Sequence, residues 1–570
     1  MKSSLAMSWI SDPTSYYAPF LSNTIKTRNL LHGKLLHSHF IKLALSFNVF
    51  LSNRLIDMYS KCNSINCANR VFQDLPHRNV HSWNTIISAY SRLGHFVKAR
   101  QLLDEMPEPD LIIHNSLLSN LTRQGRYKEC IDVFIRMRKQ FGVEFMDEVT
   151  LVSVMGNCAC LGSIKLLHQV HSLAIVMGFR FNLISYNALI DAYGKLGHPD
   201  CSVSLFNQMS EKDVISWTSL VVAYTRASRL DDAFRIFIQM PIKNTVSWTA
   251  LISGFAQNGH GDQALSLFSQ MQEHQEEEEE WVVPNTLTFV TVLSVCADQA
   301  SIERGKEIHG HIIRSNQSNV FLSNALIDMY CKTGDIESAE KVFDRMIERD
   351  IVSWNTLATG LAQNGYGKEA IRIIERMILD NTKPNHVTFL AIISACCHAG
   401  LLSEGLEILQ SMEKDHCVTP RAEHFALIID LLGKTTTGRN GLKEAIDLIE
   451  NSGIGLNHVG LWGAVLGACR VHGDLSLAEK ATKKLLELEP ENVGRDVMVS
   501  NIYAEIGRWE DVERVRERMN ANHLRKESGY SSVEVNNVRF NFVANFKSPC
   551  GGKEDDVYDL LRCLKVHMVD

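Results

Sequence analysis

The sequence lacks the features from which zinc enzymes and membrane proteins are usually built. None of its 14 cysteines stands three residues from another, so there is no Cys-x-x-Cys to begin a zinc site. No apolar run reaches the roughly 18 residues needed to cross a bilayer. The 58 Lys and Arg are outnumbered by 65 Asp and Glu, for a formal net charge of −7. This balance argues against a broad basic surface for phosphate, so any nucleic-acid contact must rest on local cations and on the bases.

The length and the N-terminus set the expected organisation. With 570 residues the chain is too long for one compact domain, so several domains or a repeat array are expected. The first residues are rich in Ser and Tyr and contain one acidic residue, Asp12. This composition fits a short organellar transit peptide over 1–13. The scattered cysteines are expected to be reduced thiols buried in helices.

Internal repeats dominate the sequence. Two recurrent segments mark the repeat starts. The first is SWNTIISAY (82–90), which returns as SWTSLVVAY (216–224), SWTALISGF (247–255) and SWNTLATGL (353–361). The second is SNRLIDMY (52–59), which returns as YNALIDAY (186–193) and SNALIDMY (323–330).

Each start is followed by a short Gly-containing turn and a second amphipathic stretch. In that stretch an Ala is followed four residues later by Leu or Phe, which is itself followed three residues later by Met. Examples are Ala99/Leu103/Met106, Ala233/Phe237/Met240, Ala264/Phe268/Met271 and Ala339/Phe343/Met346. This spacing places the three side chains on one helical face. The sequence therefore predicts an all-α solenoid of stacked helix–turn–helix hairpins.

The array resembles the plant pentatricopeptide repeat family and its PLS class, in which P, L and S motifs alternate. A tetratricopeptide array would show a Trp–Leu–Gly–Tyr pattern, which is absent. The L motifs carry their own mark, because GKLLHSH (33–39) matches GKEIHGH (305–311) and HQVHS (168–172). The resemblance implies a right-handed superhelix over 14–458. Its repeats are L 14–48, S 49–79, S 80–110, P 111–147, L 148–182, S 183–213, S 214–244, P 245–285, L 286–319, S 320–350, P 351–385, L 386–421 and S 422–458.

Two repeats are longer than the regular motifs. EHQEEEEE (273–280) and TTTGRN (435–440) interrupt them, and both are interpreted as solvated loop expansions. His274-Gln275-Glu276 spells the His-x-Glu of zinc deaminases, but it has no Cys-x-x-Cys partner and is attributed to chance.

The resemblance implies that each repeat reads one RNA base with its fifth and its last residue. A short amide or hydroxyl and a second amide or carboxylate offer donors and acceptors to a base edge. The alternative for an isolated Asn is a helix cap or a turn residue. The pairs are Asn53/Asn79, Asn84/Asp110, Asn115/Asp147, Asn187/Asp213, Thr218/Asn244, Thr249/Asn285, Asn324/Asp350 and Asn355/Asn385.

By the code of the family, Asn with Asp favours U, Thr with Asn favours A, and Asn with Asn favours a pyrimidine. Three L repeats (Val152/Asn182, Val290/Asn319, Leu390/Arg421) and the last S repeat (Ala426/His458) carry no readable pair. With the N-terminus at the RNA 5′ end, repeats 49–385 predict the footprint Y-U-U-n-U-A-A-n-U-Y.

Two further columns favour nucleic acid. The second residue is mostly aliphatic, suited to sandwiching flat bases, although His81 departs from this pattern. Its members are Ile112, Ile184, Ile215, Val246 and Val352. The thirteenth residue is mostly basic and is expected to face phosphate, the alternative being solvated helix ends. Its members are Lys61, Arg92, Arg123, Lys195, Arg226, Lys332 and Lys434.

After 458 the pattern changes. Residues 459–527 resemble the E-type helical motifs of organellar editing factors, with Trp462, Leu466, Tyr503 and Trp509 as the expected core. Residues 528–570 resemble the E-plus extension. Alternating Val and Phe on both sides of Asn536-Asn537 predict a β-hairpin there.

Many relatives continue into an Asp-Tyr-Trp (DYW) type cytidine deaminase, and the zinc motif of that domain is missing here. The resemblance therefore implies a non-enzymatic recognition factor for C-to-U editing of organellar transcripts, without catalytic residues, metal or cofactor. Such a factor binds single-stranded RNA and recruits a deaminase in trans, in the mitochondrion or alternatively the chloroplast. Open alternatives are an RNA splicing, stabilisation or translation factor, and a protein-binding helical scaffold.

Overall fold

The fold is known from a computed structural model that describes residues 13–142, 146–273, 282–435, 458–472, 475–488, 493–505, 507–521, 530–535 and 538–543. The predicted transit peptide, almost all of both loop expansions and most of the E-plus-like extension lie outside these residues. The chain divides into two compact units, 1–284 and 285–570. Each is built from antiparallel helical hairpins, so the predicted all-α repeat fold is confirmed.

The helices of residues 1–284 alternate between first and second members of a hairpin. The first helices are Pro13–Thr27, Val49–Lys61, Val80–Arg92, Leu111–Arg123, Glu148–Cys160, Leu183–Lys195, Val214–Arg226 and Thr245–Gln257. The second helices are Leu30–Lys42, Ile65–Asp74, Phe96–Glu105, Tyr127–Phe141, Ile164–Val176, Pro199–Gln208, Leu230–Gln239 and Gly261–Glu273. A short 3-10 turn covers Leu45–Phe47.

Residues 285–570 continue the alternation and add two strands. The first helices are Thr286–Asp298, Val320–Lys332, Ile351–Gln363, His386–Ala399, Ala422–Thr435, Val459–His472 and Val493–Glu505. The described second helices are Ile302–Arg314, Ile336–Arg345, Gly367–Leu379, Leu402–Lys414, Leu475–Leu488 and Trp509–Ala521. Strands Tyr530–Val535 and Val538–Val543 pair antiparallel with Val535 opposite Val538, which confirms the predicted hairpin.

Most first helices begin one residue after an Asn or Asp that caps them. The Asp213 carboxylate, for example, accepts the backbone N–H of Ser216 at 2.8 Å, and the Ser216 hydroxyl reaches back to the backbone N–H of Asp213 at 3.3 Å. A side-chain cap stabilises a helix by about 1 kcal/mol because it satisfies a backbone donor that has no partner within the helix. The last residue of a repeat thus determines where the next repeat starts.

Aromatic contacts hold successive hairpins in register. The Phe of the Ala–Phe–Met face packs edge-on against the Trp of the next first helix. The ring centroids are 5.0 Å apart for Phe72–Trp83, 4.8 Å for Phe206–Trp217, 4.7 Å for Phe237–Trp248 and 4.6 Å for Phe343–Trp354. The predicted face is therefore the buried one, and the Ala residues at its start have no exposed surface.

Three junctions from an L repeat to an S repeat share a buried His–Tyr bond. The distance between the His Nδ1 and the Tyr hydroxyl oxygen is 2.9 Å for His37–Tyr59, 2.9 Å for His171–Tyr193 and 2.8 Å for His309–Tyr330. Burial lowers the pKa of all three histidines, which favours the neutral ring at each junction. At the fourth junction these two positions hold Leu409 and Leu432, both buried.

The C-terminal helices share one core with the repeats that precede them. Trp462 and Leu466 pack in the same buried cluster as Ile428 and Leu432, and the cluster extends from Phe389 to Ile502. The predicted core positions Trp462 and Leu466 are confirmed. The prediction for Trp509 is wrong: it is the first residue of its helix and is 67% exposed, because it lies outside the stripe that faces the neighbouring hairpin.

The remaining sequence expectations concern membranes and thiols. None of the helices that the structure describes is long and apolar enough to span a bilayer. Seven of the described cysteines are buried, whereas Cys160 and Cys417 are exposed, so burial holds for most thiols but not for all.

Candidate nucleic-acid interface

The structure joins the side chains of six of the eight predicted reading pairs. In each, the Nδ2 of the fifth-position Asn donates to an oxygen of the last-position residue. The distances are 3.4 Å for Asn53–Asn79, 3.2 Å for Asn84–Asp110, 3.1 Å for Asn115–Asp147, 3.2 Å for Asn187–Asp213, 3.4 Å for Asn324–Asp350 and 3.4 Å for Asn355–Asn385. Residues 26 to 32 positions apart in sequence thus form a polar pair at each of these repeats.

The partner fixes which way the reading amide points. A carboxylate only accepts hydrogen bonds, so the NH2 end of Asn187 must face Asp213 and its Oδ1 must face away. In four repeats this oxygen is buried and has no hydrogen-bond partner within the described structure. The four are Asn53, Asn84, Asn187 and Asn324. An acceptor that is buried and unpaired costs about 1–3 kcal/mol of desolvation free energy.

Two P repeats differ because a threonine of the next repeat already satisfies this acceptor. The Thr150 hydroxyl lies 2.6 Å from Oδ1 of Asn115, and the Thr388 hydroxyl lies 2.6 Å from Oδ1 of Asn355. Both threonines are fully buried. Sequence reasoning missed this column, although a Thr is visible as the third residue of three of the four L repeats, at Thr150, Thr288 and Thr388.

The two Thr–Asn pairs are arranged differently. The Thr218 hydroxyl donates to the Val214 carbonyl at 2.7 Å, and the Thr249 hydroxyl donates to the Thr245 carbonyl at 2.6 Å. Each hydroxyl oxygen can then act as an acceptor. Asn244 accepts the Ser247 N–H with its Oδ1 at 3.0 Å, so its amide NH2 is the group that can donate.

Asn285, the predicted partner of Thr249, lies at the start of the compact unit 285–570. Within its own unit Asn285 is a helix cap. Its Oδ1 accepts the backbone N–H of Thr288 at 2.9 Å and the Thr288 hydroxyl at 3.0 Å, because the first N–H groups of helix Thr286–Asp298 have no partner inside the helix.

The Oδ1 of Asn285 accepts these two hydrogen bonds, so its amide NH2 is the group that can donate, as in Asn244. The assignment of the pair Thr249/Asn285 to one base stays a prediction.

Capping, the alternative reading of these residues, also holds for the other last positions. Asn79, Asp110, Asp147, Asp213 and their counterparts all cap the following helix. The fifth-position Asn residues lie within helices and are not caps. Capping therefore explains the last-position residue of each pair, but it does not explain the hydrogen bond between that residue and the fifth-position Asn.

Three of the capping carboxylates, those of Asp147, Asp213 and Asp350, have a lowered pKa and are ionised at neutral pH. Burial raises the pKa of Asp213, but hydrogen bonds from the Ser216 backbone and hydroxyl and from Asn187 outweigh it, so the pKa lies below its ordinary 3.8. The pKa values of Asp147 and Asp350 are lowered in the same way. These groups can accept a hydrogen bond from Asn or from a base, but they cannot donate one.

The second residues of the repeats form an exposed apolar column. Ile112 is 70% exposed and Val352 is 52% exposed, and Ile184, Ile215 and Val246 lie between these values. Sequence reasoning missed two aromatic members of the column, Phe50 and Phe321, which are also exposed. Flat exposed aromatics are the side chains on which bases stack most strongly.

A groove at the first two S repeats collects these columns. A cavity of about 510 Å³ is lined by residues that include Phe50, Asn53, His81, Asn84 and Arg92. His81, the second residue that breaks the aliphatic pattern, also lines this cavity and therefore lies where the aliphatic second residues of other repeats lie. Side chains of the second, fifth and thirteenth positions thus face one space.

The thirteenth-position cations end the first helices, where positive charge also favours the helix dipole. Lys61, Lys195, Lys332 and Lys434 each form an ion pair with an aspartate one turn earlier. Arg92 instead donates to the Ser60 hydroxyl at 2.5 Å. The cationic column is therefore partly neutralised, which the residue type alone did not reveal.

The repeats without a readable pair are also explained by their contacts. Val152, Val290, Leu390 and Ala426 have no side-chain donor. The cap Asn182 turns its amide to Glu148 at 2.7 Å, and Asn319 turns its amide to Thr286 at 2.9 Å. Within the described residues no group of three or more His, Cys, Asp or Glu is arranged to hold a metal ion.

Family profiles match most of this array. The profile described as PPR repeat matches 81–109, 112–140, 184–214, 215–244, 321–351 and 387–417. The PPR repeat family profile matches 243–298 and 349–398, and the E motif profile matches 472–534.

Similar proteins are found in Arabidopsis thaliana. "Pentatricopeptide repeat-containing protein At2g13600" is 38% identical, over 97% of this chain and 74% of its own length. "Pentatricopeptide repeat-containing protein At2g03880, mitochondrial" is 34% identical, over 94% of this chain and 72% of its own length. "Pentatricopeptide repeat-containing protein At1g08070, chloroplastic" is 36% identical, over 97% of this chain and 69% of its own length.

A solved structure has the same fold. The crystal structure of the pentatricopeptide repeat protein PPR10 from maize matches with a TM-score of 0.52 and 17% identity. The match covers 90% of this chain and 78% of that one.

Proposed function

Because the chain belongs to the pentatricopeptide repeat family, we propose that it recognises single-stranded RNA by sequence and selects a site for C-to-U editing in an organellar transcript. One observation carries the RNA-reading part. Six polar pairs, from repeats spread between 49 and 385, repeat the same side-chain bond at 3.1–3.4 Å. A protein-binding scaffold would not need this bond at a fixed place in each repeat, whereas one base per repeat does.

The chemistry of each pair suits a base edge. In an Asn–Asp repeat, Oδ1 of the Asn can accept the uracil N3–H, and the second amide hydrogen can donate to a uracil carbonyl. In the Thr218–Asn244 repeat the hydroxyl accepts from the adenine amino group, and the Asn amide donates to the adenine ring nitrogen. The exposed second residues flank the bases on both faces.

The editing part of the proposal is supported by the E motif match at 472–534. E-type helices follow the repeats, and no Cys-x-x-Cys for a deaminase zinc site occurs in the 570 residues. The proposed role of 459–570 is to recruit a deaminase in trans. The mitochondrion is the proposed compartment and the chloroplast the alternative, since similar proteins are named for both.

Two measurements test the proposal. Purified protein should bind an RNA with the footprint Y-U-U-n-U-A-A-n-U-Y more tightly than a scrambled RNA, and should leave every cytidine intact with or without zinc. Sequencing the organellar transcripts of a mutant that lacks the protein should reveal the loss of a C-to-U event. Equal binding to both RNAs would refute base reading. Lost splicing or transcript accumulation with editing intact would refute the editing role alone.

A further inference from the structure

In repeats 49–458, four of the seven thirteenth-position cations are already neutralised by an acid of their own helix. The Lys–Asp distances are 3.0 Å for Lys61–Asp57, 2.6 Å for Lys195–Asp191, 3.0 Å for Lys332–Asp328 and 2.6 Å for Lys434–Asp430. All four belong to S repeats that directly follow an L repeat. The pairing is therefore a property of one repeat type at one place in the array.

The other three cations are arginines without such an acid. Four residues before Arg92, Arg123 and Arg226 stand Ser88, Ser119 and Val222. Arg92 contacts the neutral Ser60 hydroxyl, and it lines the same cavity as Asn53 and Asn84. Asp57, the partner of Lys61, lines this cavity too, so a paired aspartate and Arg92, which has no acidic partner among the described residues, face the same groove.

A paired lysine gains little from an RNA phosphate. Each net phosphate contact with a single strand lowers the slope of log K against log salt by about 0.7, because counterions are released. A phosphate that approaches Lys195 also approaches Asp191, and their joint charge is zero. To bind phosphate, the lysine must give up a contact of 2.6 Å and leave the aspartate beside the anion.

We propose that Arg92, Arg123 and Arg226 hold the RNA phosphates, while the four Lys–Asp pairs are neutral spacers. This inference rests on the proposed RNA binding. It places the phosphate contacts of this column in residues 1–284. In 285–570 the described members of the column are Asp298, the paired Lys332 and Lys434, Gln363 and His398. The 3′ part of the footprint is then held mainly through its bases.

The test compares variants on one RNA with the predicted footprint, with helicity checked by circular dichroism. Arg226→Gln removes a proposed phosphate contact, the double variant Lys195→Gln/Asp191→Asn removes a neutral pair, and Asp191→Asn alone releases the paired cation. The matched control is Glu337→Gln, which releases Lys341 from a pair of the same spacing on a second helix.

Arg226→Gln should make the salt slope less negative by about 0.7, which changes the affinity lost between about 50 and 200 mM salt by roughly 2.6-fold. Asp191→Asn should make the slope more negative by a similar amount, while the double variant Lys195→Gln/Asp191→Asn and Glu337→Gln should leave it unchanged. Equal flattening by the double variant and by Arg226→Gln overturns the spacer role and leaves RNA binding standing. A wild-type protein that binds neither the predicted nor a scrambled RNA overturns both proposals.

Discussion

Exchanging the reading pair of repeat 214–244 should convert its base preference from adenine to uracil. The change is Thr218→Asn together with Asn244→Asp, which copies the Asn187–Asp213 pair of the preceding repeat. In the wild type the fifth position offers an acceptor, because the Thr218 hydroxyl donates to the Val214 carbonyl at 2.7 Å, and the last position offers a donor. A carboxylate at the last position can only accept, so the pattern reverses.

The magnitude follows from the cost of one wrong base. A mismatch costs about 1–3 kcal/mol by analogy with base readout in DNA complexes. This corresponds to about 5- to 150-fold in the dissociation constant. The fold should tolerate the change, because Asp caps a helix about as well as Asn and the bond to the Ser247 N–H is kept. The added negative charge weakens every RNA alike, so the ratio between two RNAs is the quantity to compare.

The assay is fluorescence anisotropy with RNAs that carry A or U at the sixth position of the footprint. The double variant should favour U there, and the A-to-U ratio at the seventh position should not change. Asn244→Asp alone should lose the adenine preference without gaining the full uracil preference. If the double variant keeps adenine at the sixth position, or if another position changes instead, the assignment of the reading residues is wrong.

Three further results are expected. Thr150→Val frees the buried Oδ1 of Asn115, so discrimination for uracil at the third position of the footprint should rise by about fivefold, because one hydrogen bond is worth about 1 kcal/mol. Thr150→Ser keeps the hydroxyl and should not change this discrimination, and equal discrimination by the two variants would contradict the role given to the hydroxyl. Burial lowers the pKa of His171 below its ordinary 6.5, so the stability from the bond of its neutral ring to Tyr193 is present above pH 6.5 and is lost as the pH falls through the lowered value. The melting temperature of the double variant His171→Leu/Tyr193→Leu should depend less on acid pH than that of the wild type, and an equal dependence would count against this role of His171. Deleting 459–570 removes Trp462 from a shared core, where each large buried side chain is worth about 3–5 kcal/mol, so the melting temperature should drop. A chain cut after 521 should melt like the full chain, and equal melting temperatures of the two truncated chains would refute the shared core.

The repeat fold could be predicted because it is encoded locally and many times. The Ala–Phe–Met spacing and the Trp of each repeat start identify the buried faces, and the same contact, such as Phe237 against Trp248, recurs from hairpin to hairpin. Periodic burial needs no knowledge of distant residues. Trp509 escaped the rule because a tryptophan at a helix start is not constrained by the apolar stripe.

The fifth and last positions of the repeats were likewise visible as columns of Asn, Thr and Asp, because stacked repeats align equivalent positions. Their chemistry was not visible. The same Asp213 caps a helix and orients Asn187, and only the folded chain shows that both bonds are made at once. Asn285 belongs to the same column by sequence, and in the folded chain it caps helix Thr286–Asp298 as the other last-position residues cap theirs.

By itself, the sequence determined the all-α repeat architecture, the capping residues and the columns that face the groove, since periodicity and composition express them within each repeat. Only the tertiary structure decided which members of those columns are chemically free. Hydrogen bonds and ion pairs depend on side-chain geometry within and between hairpins, which residue types do not specify. Thus Thr150 occupies the acceptor of Asn115, Lys195 is balanced by Asp191, and Arg92, a cation of the same column, is not.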